Sequence, residues 1–310
     1  MLDVRRLKVL CEVAEKGSFS AAADALSFTQ SAVSQQIAAL EKETGTTLLQ
    51  RGPGGVRLTD AGRALVAHAE VILARLGDAE RELAAIAGLR GGRVRLASFP
   101  SAGATLVTEA VSLYRQRYPE VELSLTEGEP HDTAPRLRRG EFDVAVVFEN
   151  SHGPSGDLLD GLDCVDLLED PLYVVVPESH ALVGRKAIRL RDLADEPWVS
   201  GCGGGVCNAM LTDACAEAGF QPNIAFESDD HNVLVGLVAA GVGVTLLPEL
   251  ALRTVHPGVQ VRAVSGSTPM RSIHAAVPAD AYRSPATEAM IGVLQEVAER
   301  FAAGSRAVAA

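Results

Sequence analysis

The chain has 310 residues, 47% of them apolar, and a formal net charge of −12; that is about two domains' worth of length, with enough apolar side chains for each domain to bury a core. Five cysteines spread over the chain, Cys11, Cys164, Cys202, Cys207 and Cys215, argue against a disulfide framework. No leader with a basic start and an apolar middle opens the sequence, and the longest uncharged stretch, Asn232 to Pro248 with three glycines, falls short of the ~20 apolar residues of a membrane span, so a soluble cytoplasmic protein with no membrane partner is expected.

The charge is unevenly shared. Residues 1–58 hold seven Lys or Arg and six Asp or Glu, a net of +1, whereas the rest hold 21 basic and 34 acidic residues, a net of −13. Such a split points to distinct tasks for the two parts. A near-neutral N-terminal piece cannot rely on bulk attraction to a phosphate backbone. Any affinity for nucleic acid must come from shape, a few placed cations and the pairing of two copies.

Leu7, Leu10, Val13 and Ala14 recur at helical spacing and predict a first helix from Asp3 to Lys16, ended by Gly17. Ser18 can cap a second, Ser20 to Leu26, whose alanines allow close helix approach; Ser27-Phe28 makes a turn, and Thr29 can cap a third. On that third helix Val33, Ile37 and Leu40 form an inward stripe, Ser31, Gln35 and Ala38 lie opposite, and Gln30 and Ser34 flank them. A solvated helix face usually carries Lys and Glu. This one carries small polar groups suited to base edges, since Gln can pair with adenine and Ser with either base pair. An ordinary three-helix bundle with a merely solvated outer face is the alternative. Next, "TTLLQRGPGGVRLTDAG" predicts a short β-wing turning at Gly-Pro-Gly-Gly, with Arg51 and Arg57 at its base. Those two can reach phosphate or an adjacent minor groove, or be plain surface charges.

Thr59 caps a long helix on which Leu65, Ala69, Ile72, Leu76, Ala79, Leu83 and Ile86 repeat at alternating spacings of four and three. That is a heptad seam, which can pair two chains or pack on the protein's own body. Gly88 and Gly91-Gly92 then make a linker.

At this point the sequence resembles a known family. Residues 17–62 are similar to the winged helix-turn-helix of the LysR-type transcriptional regulators, through Gly17-Ser18-Phe19, Ala22-Ala23, Gln30-Ser31-Ala32-Val33-Ser34, Ile37, Ala39-Leu40-Glu41, Leu48, Arg51 and Leu58-Thr59-Asp60-Ala61-Gly62. The long helix and linker follow in the family's order, and Ala21 stands where the family often has a basic or polar residue. The resemblance implies a winged helix-turn-helix over residues 1–58, a dimerisation helix and hinge over 59–91, and an effector-binding domain over 92–310. The DNA-contacting residues are then Ser18, Thr29, Gln30, Ser31, Ser34, Gln35, Arg51 and Arg57. The implied partners are double-stranded DNA with an inverted-repeat operator, a small-molecule effector, further copies of the chain as a homodimer or homotetramer, and RNA polymerase if the protein activates.

From Arg93 on the reading is α/β. Strand "VRLAS", a helix from Gly103 to Tyr118, strand "VELSLTEG", a helix from Thr133 to Gly140 and strand "FDVAVVFE" make a βαβαβ run and predict a parallel sheet. A second such unit is expected from "DPLYVVVPE", "PWVSG", a helix Val206 to Gly219, "NIAFES", a helix Asn232 to Ala240 and "VGVTLLP". Strands near Val259 to Val264 and Arg271 to Val277 and a helix Pro285 to Ala302 close the chain. Two α/β lobes suggest a cleft at the carboxyl ends of strands. By resemblance the fold is that of periplasmic binding proteins, with lobe I at about 92–161 and 268–303 and lobe II at about 162–267.

No G-x-S-x-G, G-x-G-x-x-G or P-loop occurs, the seven histidines are scattered, and there is no C-x-x-C or H-x-x-x-H. An enzyme, a metal site and a cofactor are therefore not expected, and a solute-binding protein is a remote alternative. "SGCGGGVC" puts several N–H groups of a turn and helix start at one point, which suits an anion, or is a plain tight turn. Cys202 and Cys207 in that turn leave a thiol-based redox sensor as the alternative function. For the effector, Ser98 and Ser101 stand at a strand's carboxyl end beside a helix start with Ala102, and either contact a ligand or cap the helix. Gly201, Gly203 and Gly204 would face them, and Glu129 and Phe148 would line the same mouth.

Overall fold

A computed structural model describes residues 2–308 apart from 53–54, 87–91, 152–156, 202–205, 254–255 and 280. The chain divides into two compact units, one ending at residue 89 and also taking in Arg139–Glu141, the other formed by the rest.

The first unit opens with α1 (Val4–Lys16), capped by the Asp3 carboxylate and closed by Gly17 in the left-handed region at φ 60°. Ser18 caps α2 (Phe19–Ala25), and Thr29 caps α3 (Gln30–Thr44) by accepting from the Ala32 N–H at 3.2 Å. Leu7, Leu10, Val13, Ala22, Val33, Ile37 and Leu40 form the core these helices share. β1 (Leu49–Gly52) and β2 (Gly55–Leu58) pair antiparallel as the wing. Its base is tied to α3 through Glu41, whose carboxylate accepts from the N–H groups of Leu48 and Leu49. α4 (Asp60–Ile86) is capped by the Thr59 hydroxyl, which accepts from the Gly62 N–H at 3.0 Å. Gly62 is required there, because a Cβ would lie 2.1 Å from the Leu48 carbonyl oxygen.

The second unit begins with β3 (Arg93–Ser98), then one helical turn α5 (Pro100–Ala102), a π-helical stretch Gly103–Val107 and α6 (Thr108–Arg117). β4 (Glu122–Glu127), α7 (Pro130–Arg138) and β5 (Val144–Asn150) follow. β6 (Leu162–Pro177) is one 16-residue strand. Then come β7 (Ala187–Ile188), β8 (Pro197–Ser200), α8 (Val206–Glu217), β9 (Asn223–Glu227), α9 (His231–Ala239), β10 (Thr245–Pro248), β11 (Val259–Val264), β12 (Met270–Pro278) and α10 (Pro285–Val308).

The large sheet runs β4-β3-β5-β12-β6-β11-β7, with β10 also on β6. β3, β4 and β5 are parallel, as the βαβαβ pattern requires. The second half departs from the expected parallel unit. β10 and β11 both pair antiparallel with the end of β6, and the parallel pair β8–β9 is a separate small sheet joined to Val244 by a single bridge at Trp198. An apolar run marks a buried strand but carries no sign of its direction. The first half of β6 pairs with β12 and its second half with β10 and β11, so this strand passes from one lobe into the other. The return path enters β12. Lobe I is centred on Phe99, Tyr114, Val146 and Leu294, and lobe II on Trp198, Val174, Met210 and Cys215.

Candidate functional site

Two surfaces carry chemistry. On the first unit, Gln30, Ser31 and Gln35 are exposed on α3, with Ser34 half-buried between them and Ala38 continuing the face. The buried stripe Val33–Ile37–Leu40 turns this face outward. The Thr29 hydroxyl, besides capping, hydrogen-bonds with the Ser31 hydroxyl at 3.0 Å. Gln36 is not in the set, because Arg6 of α1 donates to its side-chain oxygen. Ser18 caps α2 and is half-buried. Arg57 is exposed on β2 and registers with Gln50; Arg51 lies on β1 opposite Val56, its side chain outside what the structure describes. At the turn, Phe28 is half exposed, an aromatic that the sequence pattern did not single out.

The heptad seam of α4 divides in two. Ala69 is buried in the unit's own core with Leu10 and Leu40, and Leu65 packs against it partly buried. Beyond them Ile72, Leu76 and Leu83 are 40%, 47% and 66% exposed, and Ala79 is exposed as well. The Ile86 side chain falls outside what is described. Apolar side chains at this spacing on an exposed helix face have the pattern of a coiled-coil seam.

On the second unit a cavity of about 330 Å³ lies between the lobes, at the carboxyl ends of β4, β8, β9 and β10. Glu129 and His131 enter it from beyond β4, Ser200 and Gly201 from the end of β8, and Cys207, Asn208 and Leu211 from α8. Ser228 and Asp229 after β9, His231 on α9 and Arg271 on β12 complete its polar lining. Ser200 and Asn208 are hydrogen-bonded at 2.8 Å.

Arg271 is the anchor of the site. It is 1% exposed, like its partner Asp170 on β6. Asp170 accepts from both Nε and Nη2 of the guanidinium, and its other oxygen accepts from the Leu250 N–H at 3.1 Å. The cation lies over the rings of Phe148 and Phe99, at 4.5 and 5.0 Å from their centroids. Nη2 also donates to the Ser101 hydroxyl at 3.1 Å, and Nη1 has the Cys207 sulfur at 3.9 Å.

The residues expected at the effector site fall in different places. Glu129 and Gly201 line the cavity. Ser101 is buried behind Arg271 and holds it; it caps nothing, since the helix start at Phe99 has no side-chain cap. Ser98 donates to its neighbour's carbonyl, Phe99 O, and Ala102 and Phe148 belong to the lobe I core; none of the three lines the cavity. Gly203 and Gly204 fall outside the described residues. Arg271, Asp170, Asn208, Asp229 and His231 escaped the sequence reading because no local motif announces them. They come from β12, β6, α8, the end of β9 and α9, and converge only in the folded second unit.

Burial pushes the Glu129 carboxyl up, against the opposing pull of Arg271 and His131. Burial, with the Arg271 charge beside it, lowers His231 to about 4, so this imidazole is neutral at pH 7. Burial also raises the Cys207 thiol, which works against a reactive thiolate, and Cys202 lies outside the described residues. Among the described residues no group of three or more His, Cys, Asp or Glu is placed to hold a metal ion, and no helix is long and apolar enough to cross a membrane.

A wing beside three capped helices, a helix with an open apolar seam and a two-lobed α/β unit with a central cavity define a ligand-responsive DNA-binding regulator. The chain belongs to the LysR family: residues 4–63 match the bacterial regulatory helix-turn-helix protein, lysR family, and residues 87–299 the LysR substrate binding domain. It is 31% identical to the transcriptional dual regulator GltC of Bacillus subtilis over 84% of this chain and 85% of that protein. Among solved structures, a full-length single-residue variant of OxyR from Pseudomonas aeruginosa superposes with a TM-score of 0.73 at 24% identity, covering 96% of this chain and 95% of that one. Full-length CbnR in complex with its target DNA superposes with a TM-score of 0.65 at 23% identity over 96% of this chain and 100% of that one. At that identity these two structures speak to the fold.

Proposed function

We propose that this LysR-type regulator works as a cytoplasmic, non-enzymatic switch in which a small molecule held between the lobes of the second unit alters how paired copies sit on an operator. α3 enters the major groove, with Gln30, Ser31, Ser34 and Gln35 toward base edges and Ser18, Thr29, Arg51 and Arg57 toward the backbone. Residues 1–58 form the reading module, 59–91 the pairing helix and hinge, and 92–310 the sensor. Two copies join along Ile72, Leu76, Ala79, Leu83 and Ile86, and such dimers pair again into a tetramer on an inverted repeat. RNA polymerase is the further partner if the protein activates. The observation that carries this reading is the α3 face: exposed Ser and Gln backed by a fully buried stripe. The near-neutral N-terminal unit supports it too, because pairing two weak modules multiplies their affinity without bulk positive charge. The test is a footprint on random-sequence DNA selected by the full chain. A palindromic site protected at two half-sites about one helical turn apart is expected; an unstructured, sequence-independent footprint overturns the reading.

A further inference from the structure

We infer that the molecule accepted by the interlobe cavity is a small zwitterion of the amino-acid type, its ammonium group held by Glu129 and Asp229 and its carboxylate by Arg271. The inference rests on the effector reading of this cavity. At about 330 Å³ the cavity stands at the small end of ligand sites. Among the described residues its lining holds one strong cation, Arg271, and Asp170 accepts two of its hydrogen bonds from a fully buried position. The carboxylates among the described lining residues are Glu129 and Asp229, and Glu129 is the principal partner for an ammonium. Glu129 makes no side-chain hydrogen bond or ion pair among the described residues, and its carboxyl is half-buried. His231 supplies no compensating charge, being neutral at pH 7.

A ligand with anionic groups alone would bring further negative charge against those carboxylates in a partly desolvated space. An apolar ligand would leave Glu129 buried without a partner and would cover Arg271. An ammonium answers the first need, since charge-assisted bonds to a carboxylate are the strongest an amine can make. The second end of the ligand is set by Arg271. Its Nε and Nη2 are engaged by Asp170 and Ser101, while the acceptor facing Nη1 is a thiol sulfur at 3.9 Å, a weak one. A ligand oxygen is the better partner for that N–H.

The test is titration of the full-length protein, by melting temperature and calorimetry, with three matched series: L-amino acids, the 2-hydroxy acids in which hydroxyl replaces ammonium, and the amines that lack the carboxylate. At least one amino acid should raise the melting temperature, and its two truncated counterparts should bind at least about tenfold more weakly. Glu129→Gln, nearly isosteric, should weaken the amino acid about tenfold or more and leave 2-hydroxy acids no weaker, since it removes a charge that repels them. Equal binding of 2-hydroxy acids, an unchanged affinity in Glu129→Gln, or no binding in any series overturns the inference. Ser228→Trp, which fills the cavity, separates the two levels. If it abolishes binding while the hydroxy acids bind as well as the amino acids, only the zwitterion is wrong. Binding that survives Ser228→Trp puts the ligand elsewhere and takes the effector reading with it.

Discussion

Arg271 and Asp170 form a fully buried ion pair at the point where β12 and β6 cross between the lobes. The desolvation of both charges largely cancels their attraction, so the pair adds little net stability, but removing one partner strands the other. Asp170→Ala should therefore destabilise the second unit by about 3–5 kcal/mol in urea unfolding. The double replacement Asp170→Leu with Arg271→Met should recover much of that loss while abolishing any ligand response that depends on the guanidinium. A single variant as stable as wild type would show that the pair is solvated in solution.

Much of this fold was legible because it is written locally. Ser18, Thr29 and Thr59 each cap the helix their chemistry suggested, and Gly17 ends α1 in the left-handed conformation; Asp3, read as the first helical residue, is instead the cap of α1. The outward face of α3 followed from a 3.6-residue period. The cavity was legible only in place, at strand ends, and not in composition. Glu129 and Gly201 were within reach because they directly follow strands, whereas Arg271 starts a strand whose pairing depends on a β6 residue 101 positions away. The partner of Ser101 was hidden for a similar reason: its hydroxyl accepts from a buried guanidinium distant in sequence. The split of the α4 seam was hidden too, since a heptad repeat does not reveal which of its turns the chain's own core will claim.

DNA reading by α3 gives a two-part prediction. Gln35→Ala should relax sequence preference at one base position per half-site and cost ~1–3 kcal/mol there. Arg57→Ala should instead weaken all sequences alike and reduce the dependence of binding on salt. Affinities on a set of single-base operator variants at several salt concentrations distinguish the two. Unchanged base preference in Gln35→Ala would move the reading face off this part of α3.

The seam predicts a separation of pairing from DNA contact. Ile72 and Leu76 are exposed, so Glu at both positions should leave the first unit's core and its thermal unfolding nearly untouched. In a paired seam the same carboxylates would be buried against like charges. Sedimentation should show a shift toward monomer, and operator affinity should fall by well over tenfold although no DNA-facing residue has changed. Leu65→Glu should behave differently, destabilising the unit itself, because that side chain packs, partly buried, against its own core.

His231 gives a pH prediction with a fixed sign. Burial lowers it from 6.5 to about 4 in the folded protein, so the unfolded chain binds the extra proton between those values. Its contribution to stability is thus fully present above pH 6.5 and is lost as pH falls toward 4. The size should be roughly 1–3 kcal/mol, after discounting for partial solvent access. Glu129 acts in the opposite sense. Its raised pKa stabilises the fold at low pH and withdraws that support as the carboxyl ionises. The measurement is urea unfolding of wild type and His231→Asn at half-unit steps from pH 8 to pH 4.5. The wild type should lose more stability over that window than the variant, and the two curves should run parallel above pH 7. A difference between them that does not change with pH would mean that the imidazole reaches solvent and takes up its proton as readily folded as unfolded.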